Sequence, residues 1–263
     1  MRSFLRWAGS KCQLLPVLRE YWRPCFQTYI EPFAGSATLF FALEPRRAIL
    51  GDRNSELIEA LGIVQTDVIR LLEALRRIKR GRDAYYRLRR RDPQDLTPVE
   101  RAARFIYLNR YCFNGLFRTN EQGKFNVPYG RQRKRVRIDE TLLAEGGHRL
   151  QSALLISGDF EVTISHAGKN DFVYLDPPYV GHEDDAFVEY GPGSFSTKDL
   201  ERFETALERL DSAGAKFLVS YADSPIARKT FSGWRARRIW ARRNIAGFAQ
   251  KRRGVHELLV SNF

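Results

Sequence analysis

The 263-residue chain is poor in sulfur, with three cysteines (Cys12, Cys25, Cys112) and a single methionine. The cysteines are odd in number and lack the paired spacing of a metal site, so no disulfide framework and no metal centre is expected. No apolar run is long enough to cross a bilayer, and the amino terminus has no apolar leader. A cytoplasmic protein with reduced thiols and no membrane association is expected. Internal repeats and low-complexity segments are missing. So is a glycine-rich loop ending in Gly-Lys-Ser/Thr, which speaks against a nucleotide triphosphate cradle.

What the chain does have is positive charge. Lys and Arg total 44 against 31 acids, a formal +13. The excess is clustered in "RRIKRGRDAYYRLRRR" (76–91), "RQRKRVR" (131–137) and "WRARRIWARR" (234–243). Arginine clusters with aromatics in or beside them suit a polyanion, because phosphate neutralisation supplies most non-specific nucleic-acid affinity. Nucleic acid is the expected partner.

Short β-rich runs recur at 28–33, 47–52, 153–160, 171–176 and 216–221, separated by helical stretches. Ser196 opens a helix with an acid three positions on, and Leu200, Phe203, Ala206, Leu207 and Leu210 follow helical spacing up to Gly214. Thr97 and Glu100 form a second capping box, with Pro98 at the first helical position. Strands alternating with helices predict an α/β fold, a Rossmann-like, mostly parallel sheet. "WRARRIW" and "VHELLVSNF" are expected to close it as a carboxyl-terminal β-hairpin. Between residues 59 and 145 the pattern changes to helices, arginine runs and a turn-rich hairpin, an inserted, mainly helical lobe. Residues 1–58 and 146–263 then form the main domain.

In such sheets ligands bind beyond the carboxyl ends of the strands. "EPFAGS" offers Gly35 for close backbone approach, Asp52 can accept from both hydroxyls of a ribose, and "GDF" offers Asp159 to an amino group and Phe160 to an adenine face. Without the remaining glycines of a dinucleotide fingerprint, a nucleoside lacking pyrophosphate fits better, and S-adenosylmethionine is one. "DPPY" (176–179) supplies a carboxylate at Asp176 and a carbonyl at Pro177 locked by Pro178, two acceptors for an exocyclic amine. Tyr179 supplies a ring for an extruded base to stack on.

These motifs resemble, in order and nearly end to end, those of the Dam-type DNA adenine methyltransferases of the alpha group. The matching segments are "FLRWAGSK" (4–11), "EPFAGSATLFF" (31–41), "LGDRN" (50–54), "YLNRYCFNGLFRTNEQGKFNVPYG" (107–130), "SGDF" (157–160), "DPPY" and "LVSYADSP" (218–225). The resemblance implies that Trp7, Lys11, Asp52 and Asp176 contact S-adenosylmethionine, joined by Phe33, Gly35, Asp159 and a stacking Phe160. It implies catalysis by Asp176, Pro177 and Tyr179. For DNA it implies a duplex wedge at Phe113 followed by Asn114, base reading at Leu116, Arg118 and Pro128, and Arg6 near the first guanine of GATC. Ser10 replaces a usual glycine, and Gln132 stands where some GATC enzymes have an aromatic. The implied activity is methylation of the 6-amino group of a flipped adenine in double-stranded DNA. A monomer is expected, nucleoid-associated or phage-encoded, with 59–145 as target-recognition domain. A methyltransferase acting on the 4-amino group of cytosine, and a non-catalytic DNA-binding protein with the same fold, are the alternatives.

Overall fold

The computed structural model describes residues 1–130, 137–180, 195–242 and 254–263. Gln132 and most of the 131–137 basic run lie outside them.

After α1 (Leu15–Arg19), β1 (Tyr29–Glu31) leads through a tight turn into α2 (Thr38–Leu43), and β2 (Ala48–Asp52) leads into α3 (Ser55–Thr66). Next come α4 (Val68–Arg77), α5 (Arg82–Arg90), α6 (Pro98–Tyr111) and α7 (Glu140–Leu150). Then β3 (Ala153–Ser157), α8 (Phe160–Ile164), β4 (Phe172–Leu175), α9 (Thr197–Ser212), β5 (Lys216–Ala222), α10 (Pro225–Thr230), β6 (Arg235–Arg242) and β7 (Gly254–Ser261) complete the order. The seven strands form one mixed sheet in the order β3-β2-β1-β4-β5-β7-β6. The first five run parallel, and β7 pairs antiparallel with both β5 and β6 at the edge.

Helices cover both faces, so the central strands are apolar throughout, with successive side chains going to opposite sides. Tyr29, Phe172 and Leu218 join one apolar cluster with Phe40, Leu61 and Phe105. Ile30, Val173 and Val219 join a second with Phe160, Phe203 and Ala227. Both capping boxes form, at Thr97–Glu100 and at Ser196–Asp199. Gly214 takes φ +77° just past α9. Helices α3 and α7 straddle the boundaries expected at 59 and 145, and α4 to α6 bury Leu71, Tyr85 and Phe105 in the same apolar cluster as the sheet. The loop after α6 carries two isolated antiparallel bridges, Cys112 to Tyr129 and Thr119 to Phe125.

Candidate active site

Strand β1 has β2 on one side and β4 on the other, so the connections leave their carboxyl ends in opposite directions and a crevice opens between them. A cavity of about 690 Å³ fills it, within the range of roughly 300–1,000 Å³ common for small-molecule sites. Every residue expected to act in catalysis or cofactor binding lines it, together with Arg6, Asn114 and Leu116. Phe113, Arg118 and Pro128 lie outside the cavity wall.

Lys11 stands at the centre of one wall. Its Nζ is 2.8 Å from Asp176 Oδ1 and 4.0 Å from Glu257 Oε2, and it donates to the Tyr179 hydroxyl at 2.9 Å and to the Gly9 carbonyl at 3.2 Å. Burial alone would lower the Lys11 pKa, but the Asp176 carboxylate, then Tyr179 and Glu257, hold it well above the usual lysine value. Ser220, on the neighbouring strand β5, donates to Asp176 Oδ1 at 2.9 Å and lies 3.0 Å from the Tyr174 hydroxyl. Burial pushes the Tyr174 phenol well above its ordinary pKa, and the nearby Asp176 adds to this. Both bonds to Asp176 fall on Oδ1. Tyr179 packs against Tyr221 with ring centroids 4.9 Å apart, and Tyr221 accepts from the Val180 amide at 2.9 Å, which fixes the chain just past the two prolines. Burial also raises the Tyr179 pKa.

The opposite wall is a backbone turn held by an acid. Asp52 accepts from the Gly35 amide at 2.8 Å through Oδ2 and from the Asn54 amide at 2.9 Å through Oδ1. Burial raises its pKa, and these two amide bonds act against the rise. Gly35 has φ +47°, and a Cβ there would come within 2.8 Å of Trp7 Cδ1 and Nε1. Glycine therefore permits both the backbone conformation and the approach of the indole. Trp7 stacks in turn on Phe117 of the loop after α6, 6.0 Å between centroids at 16°. Phe33 and Phe160 stack at 5.4 Å and 25°. Asp159 caps α8 by accepting from the Glu161 amide, and its Oδ1 also pairs with Arg202 at 2.7 Å. The Arg202 guanidinium lies 5.0 Å from the Phe160 ring centroid. Glu31 is buried at the end of β1, accepting from the Tyr29 hydroxyl at 2.9 Å. Burial drives its pKa well above the carboxylate range; the Tyr29 bond opposes this, while Asp176 and Asp52 add to the rise.

The loop over 112–130 is assembled differently. Phe113 and Asn114 are exposed, and Asn114 takes φ 54°. At Gly115 a Cβ would meet Arg6 Cβ at 2.6 Å, so the loop closes directly onto the amino-terminal segment. The Arg6 amide donates to Asn109 Oδ1 at 3.0 Å, binding that segment to α6. Arg118 Nε donates to Asn126 Oδ1 at 2.8 Å, and the exposed Pro128 accepts from the Phe113 amide at 2.9 Å. Helix α5 holds the returning arm: the Tyr85 hydroxyl donates to the Val127 carbonyl at 2.9 Å, and Arg89 Nη1 to the carbonyls of Asn126 and Val127.

Five contributors escaped the sequence reading: Glu31, Tyr174, Arg202, Ser220 and Glu257. Glu31 and Ser220 sit inside quoted motifs, yet an acid before a proline and a serine within a strand carry no local sign of burial beside a carboxylate. What the two walls can do chemically is specific. One presents an acceptor-only carboxylate fixed by an ammonium and a hydroxyl; the other presents a backbone turn and stacked rings of a kind that accept a nucleoside.

Comparison with known proteins agrees with this geometry. Residues 7–245 match the family model described as D12 class N6 adenine-specific DNA methyltransferase. The whole chain is 35% identical to the Type II methyltransferase M1.LlaDCHI of Lactococcus lactis subsp. cremoris, covering 96% of that protein. It is 33% identical to a DNA adenine methylase of Salmonella typhi and 31% to that of Escherichia coli K12, in each case over 98% of this chain and 94% of the relative.

Proposed function

The chain belongs to the D12 class of N6 adenine-specific DNA methyltransferases, and from that premise we propose that it transfers a methyl group from S-adenosylmethionine to a flipped adenine in GATC. The observation that carries this is Asp176, fixed through Oδ1 by Lys11 and Ser220 in one cavity with the Asp52–Gly35 turn.

The residues fit the cofactor. At Gly35 the wall is stripped to backbone beside Trp7, the Phe33–Phe160 pair offers apolar ring surface, and Asp52 is a half-buried acceptor held in place by the Gly35 and Asn54 amides. On this reading Trp7, Lys11, Phe33, Gly35, Asp52, Asp159, Phe160 and Asp176 hold S-adenosylmethionine, which supplies an electrophilic methyl group on sulfonium. The amine of adenine is a poor nucleophile because its lone pair is delocalised into the ring. Asp176 and the Pro177 carbonyl accept its two N–H bonds and turn the lone pair toward the methyl. Asp176 is also the base placed to take the proton that the amine sheds. Lys11 and Ser220 keep the carboxylate still, so no reorganisation is needed during reaction. The Tyr179 ring offers the stacking surface for the extruded base.

Target choice is assigned to the inserted lobe, residues 59–145. Phe113 wedges the duplex, with Asn114 beside it. Arg118 donates to guanine, Leu116 and Pro128 make apolar contact with thymine, and Arg6 lies near the first guanine. The enzyme is read as a monomer acting in the cytoplasm. Incubation with labelled cofactor and plasmid, followed by digestion with methyl-sensitive GATC nucleases, tests this. Protection at GATC is expected, relaxed toward near-cognate sites in Arg118→Ala. Dominant methylation outside GATC would overturn the target while leaving adenine chemistry intact.

A further inference from the structure

Outside the cavity wall, a charged cluster stands at the same edge of the sheet, on the face opposite the 112–130 loop. Strand β5 ends at Ala222, and the next residue, Asp223, has a side chain only 2% exposed. Two arginines close on it. Arg228, from α10, donates through Nε at 2.6 Å to Oδ1 and through Nη2 at 2.9 Å to Oδ2, while Arg238, from β6, places Nε 2.6 Å from Oδ2. Bonding to Arg228 is the main reason the Asp223 pKa lies below the usual carboxylate range; partial desolvation acts against it, and Arg238 adds to the lowering.

One carboxylate thus gathers two guanidiniums, for a net charge of +1. Both remain largely exposed, at 61% and 55%. The clamp uses Nε and Nη2 of Arg228 and Nε of Arg238, leaving the other guanidinium N–H groups for a further acceptor. Trp240 belongs to the same surface. In the strand register Ala222 pairs with Glu257 and Glu257 with Ile239, so Trp240 stands level with Asp223. Trp240 is 60% exposed, and its ring meets His256 edge-on at 5.0 Å and lies across Gly254, where any side chain would run into it.

Position decides the partner. Strands β4, β5 and β6 run the same way, so Asp176, Asp223 and Trp240 all lie at the carboxyl edge. Three strand spacings separate β4 from β6 in the sheet order, about 14 Å at the usual inter-strand distance. Helix α10 packs Ala227 and Phe231 on the face opposite the one that carries the inserted helices. Two pre-oriented guanidiniums with an exposed indole suit phosphates and the sugar or base beside them.

We propose that Arg228, Arg238 and Trp240 form a second DNA-contacting surface, which grips the sugar–phosphate backbone flanking the target on the side away from the 112–130 loop. The proposal rests on duplex DNA being the substrate. Asp223 acts as a positioning residue that holds both arginines toward one stretch of backbone.

The test is binding of a labelled duplex containing one GATC, measured by anisotropy across a salt series, with calorimetry of S-adenosylhomocysteine as the check on folding. Arg228→Ala and Arg238→Ala should each weaken DNA binding roughly tenfold and reduce the salt slope by about one. Trp240→Ala should weaken it roughly fivefold or more with the slope unchanged, as loss of an uncharged packing contact to the backbone sugar does. S-adenosylhomocysteine affinity should hold in all three. Wild-type affinity and slope in both arginine variants would overturn the surface while leaving the methyltransferase reading standing. A wild-type protein that binds no duplex at any salt concentration would instead remove the premise on which the surface rests.

Discussion

Asp176 is gripped by a half-buried ammonium and a buried hydroxyl, each bonded in turn, whereas Phe113, Asn114 and Pro128 stand exposed on a loop held at its stem by backbone bonds. Both regions border the same crevice, and on the proposed reading their construction follows their tasks. A polarising carboxylate is effective only if it is already in place when charge develops, which favours a desolvated network. A loop that reads a duplex meets a large, hydrated partner and keeps its contact groups in water until then. Arg118 is intermediate: Asn126 accepts from its Nε, and on the proposed reading the rest of the guanidinium meets a base.

Breaking the rigid wall should cost most. Lys11→Ala leaves Asp176 without its cation among Glu31 and Glu257, and loss of one partner of a buried pair destabilises by about 3 kcal/mol at the lower end of the usual range, since Asp176 keeps some exposure. Denaturant melts should show that loss, whereas Arg118→Ala should stay within about 0.5–1 kcal/mol of the parent. Equal costs at the two positions would erase the contrast.

Gly35→Ala tests the opposite wall. A left-handed backbone costs a side chain about 1–2 kcal/mol, and the new Cβ would also displace Trp7. Calorimetry should show S-adenosylhomocysteine binding weakened roughly tenfold or more, with DNA affinity kept. Unchanged cofactor affinity would mean that the turn does not meet the ligand.

Tyr85→Phe loosens the stem of the loop without touching any exposed group. Losing one hydrogen bond to Val127, about 0.5–1.5 kcal/mol, should reduce the proposed preference for GATC over near-cognate duplexes roughly three- to tenfold. Cofactor affinity should not move.

The smallest effect is at Glu31. Its folded pKa is raised above the unfolded value, so the stability linked to its proton is fully present below the ordinary carboxylate pKa and lost as pH rises through the folded one. Glu31→Gln removes that dependence. Melting temperatures at about pH 5 and about pH 8 should differ less in the variant, which should be at least as stable as the parent at the higher pH. A variant less stable at both would show that the carboxylate is held charged and favourably paired.

Much of this was legible along the chain. Four of the five β-rich runs end on residues that line the cavity, because a parallel sheet places its strand ends together whatever separates them in sequence. Thr97 and Ser196 announced their helices because capping is a local event. The clamps were not legible. Ser220 meets Asp176 across 44 positions, and Arg202 reaches Asp159 from another helix; neither pairing leaves a local pattern. Arginine clusters misled in one respect: Arg89, within a run suited to phosphates, is spent on the carbonyls of Asn126 and Val127, so charge density alone could not separate surface from scaffold.

The most direct test of the central claim is single-turnover methyl transfer by Asp176→Ala, run beside its binding of S-adenosylhomocysteine and duplex DNA. The rate should fall a hundredfold or more, in line with the several kcal/mol that a preorganised polar group contributes to a transition state, while duplex binding persists and the protein stays folded. A variant that transfers methyl groups at close to the parental rate would remove Asp176, and with it the Lys11–Ser220 clamp, from the chemistry.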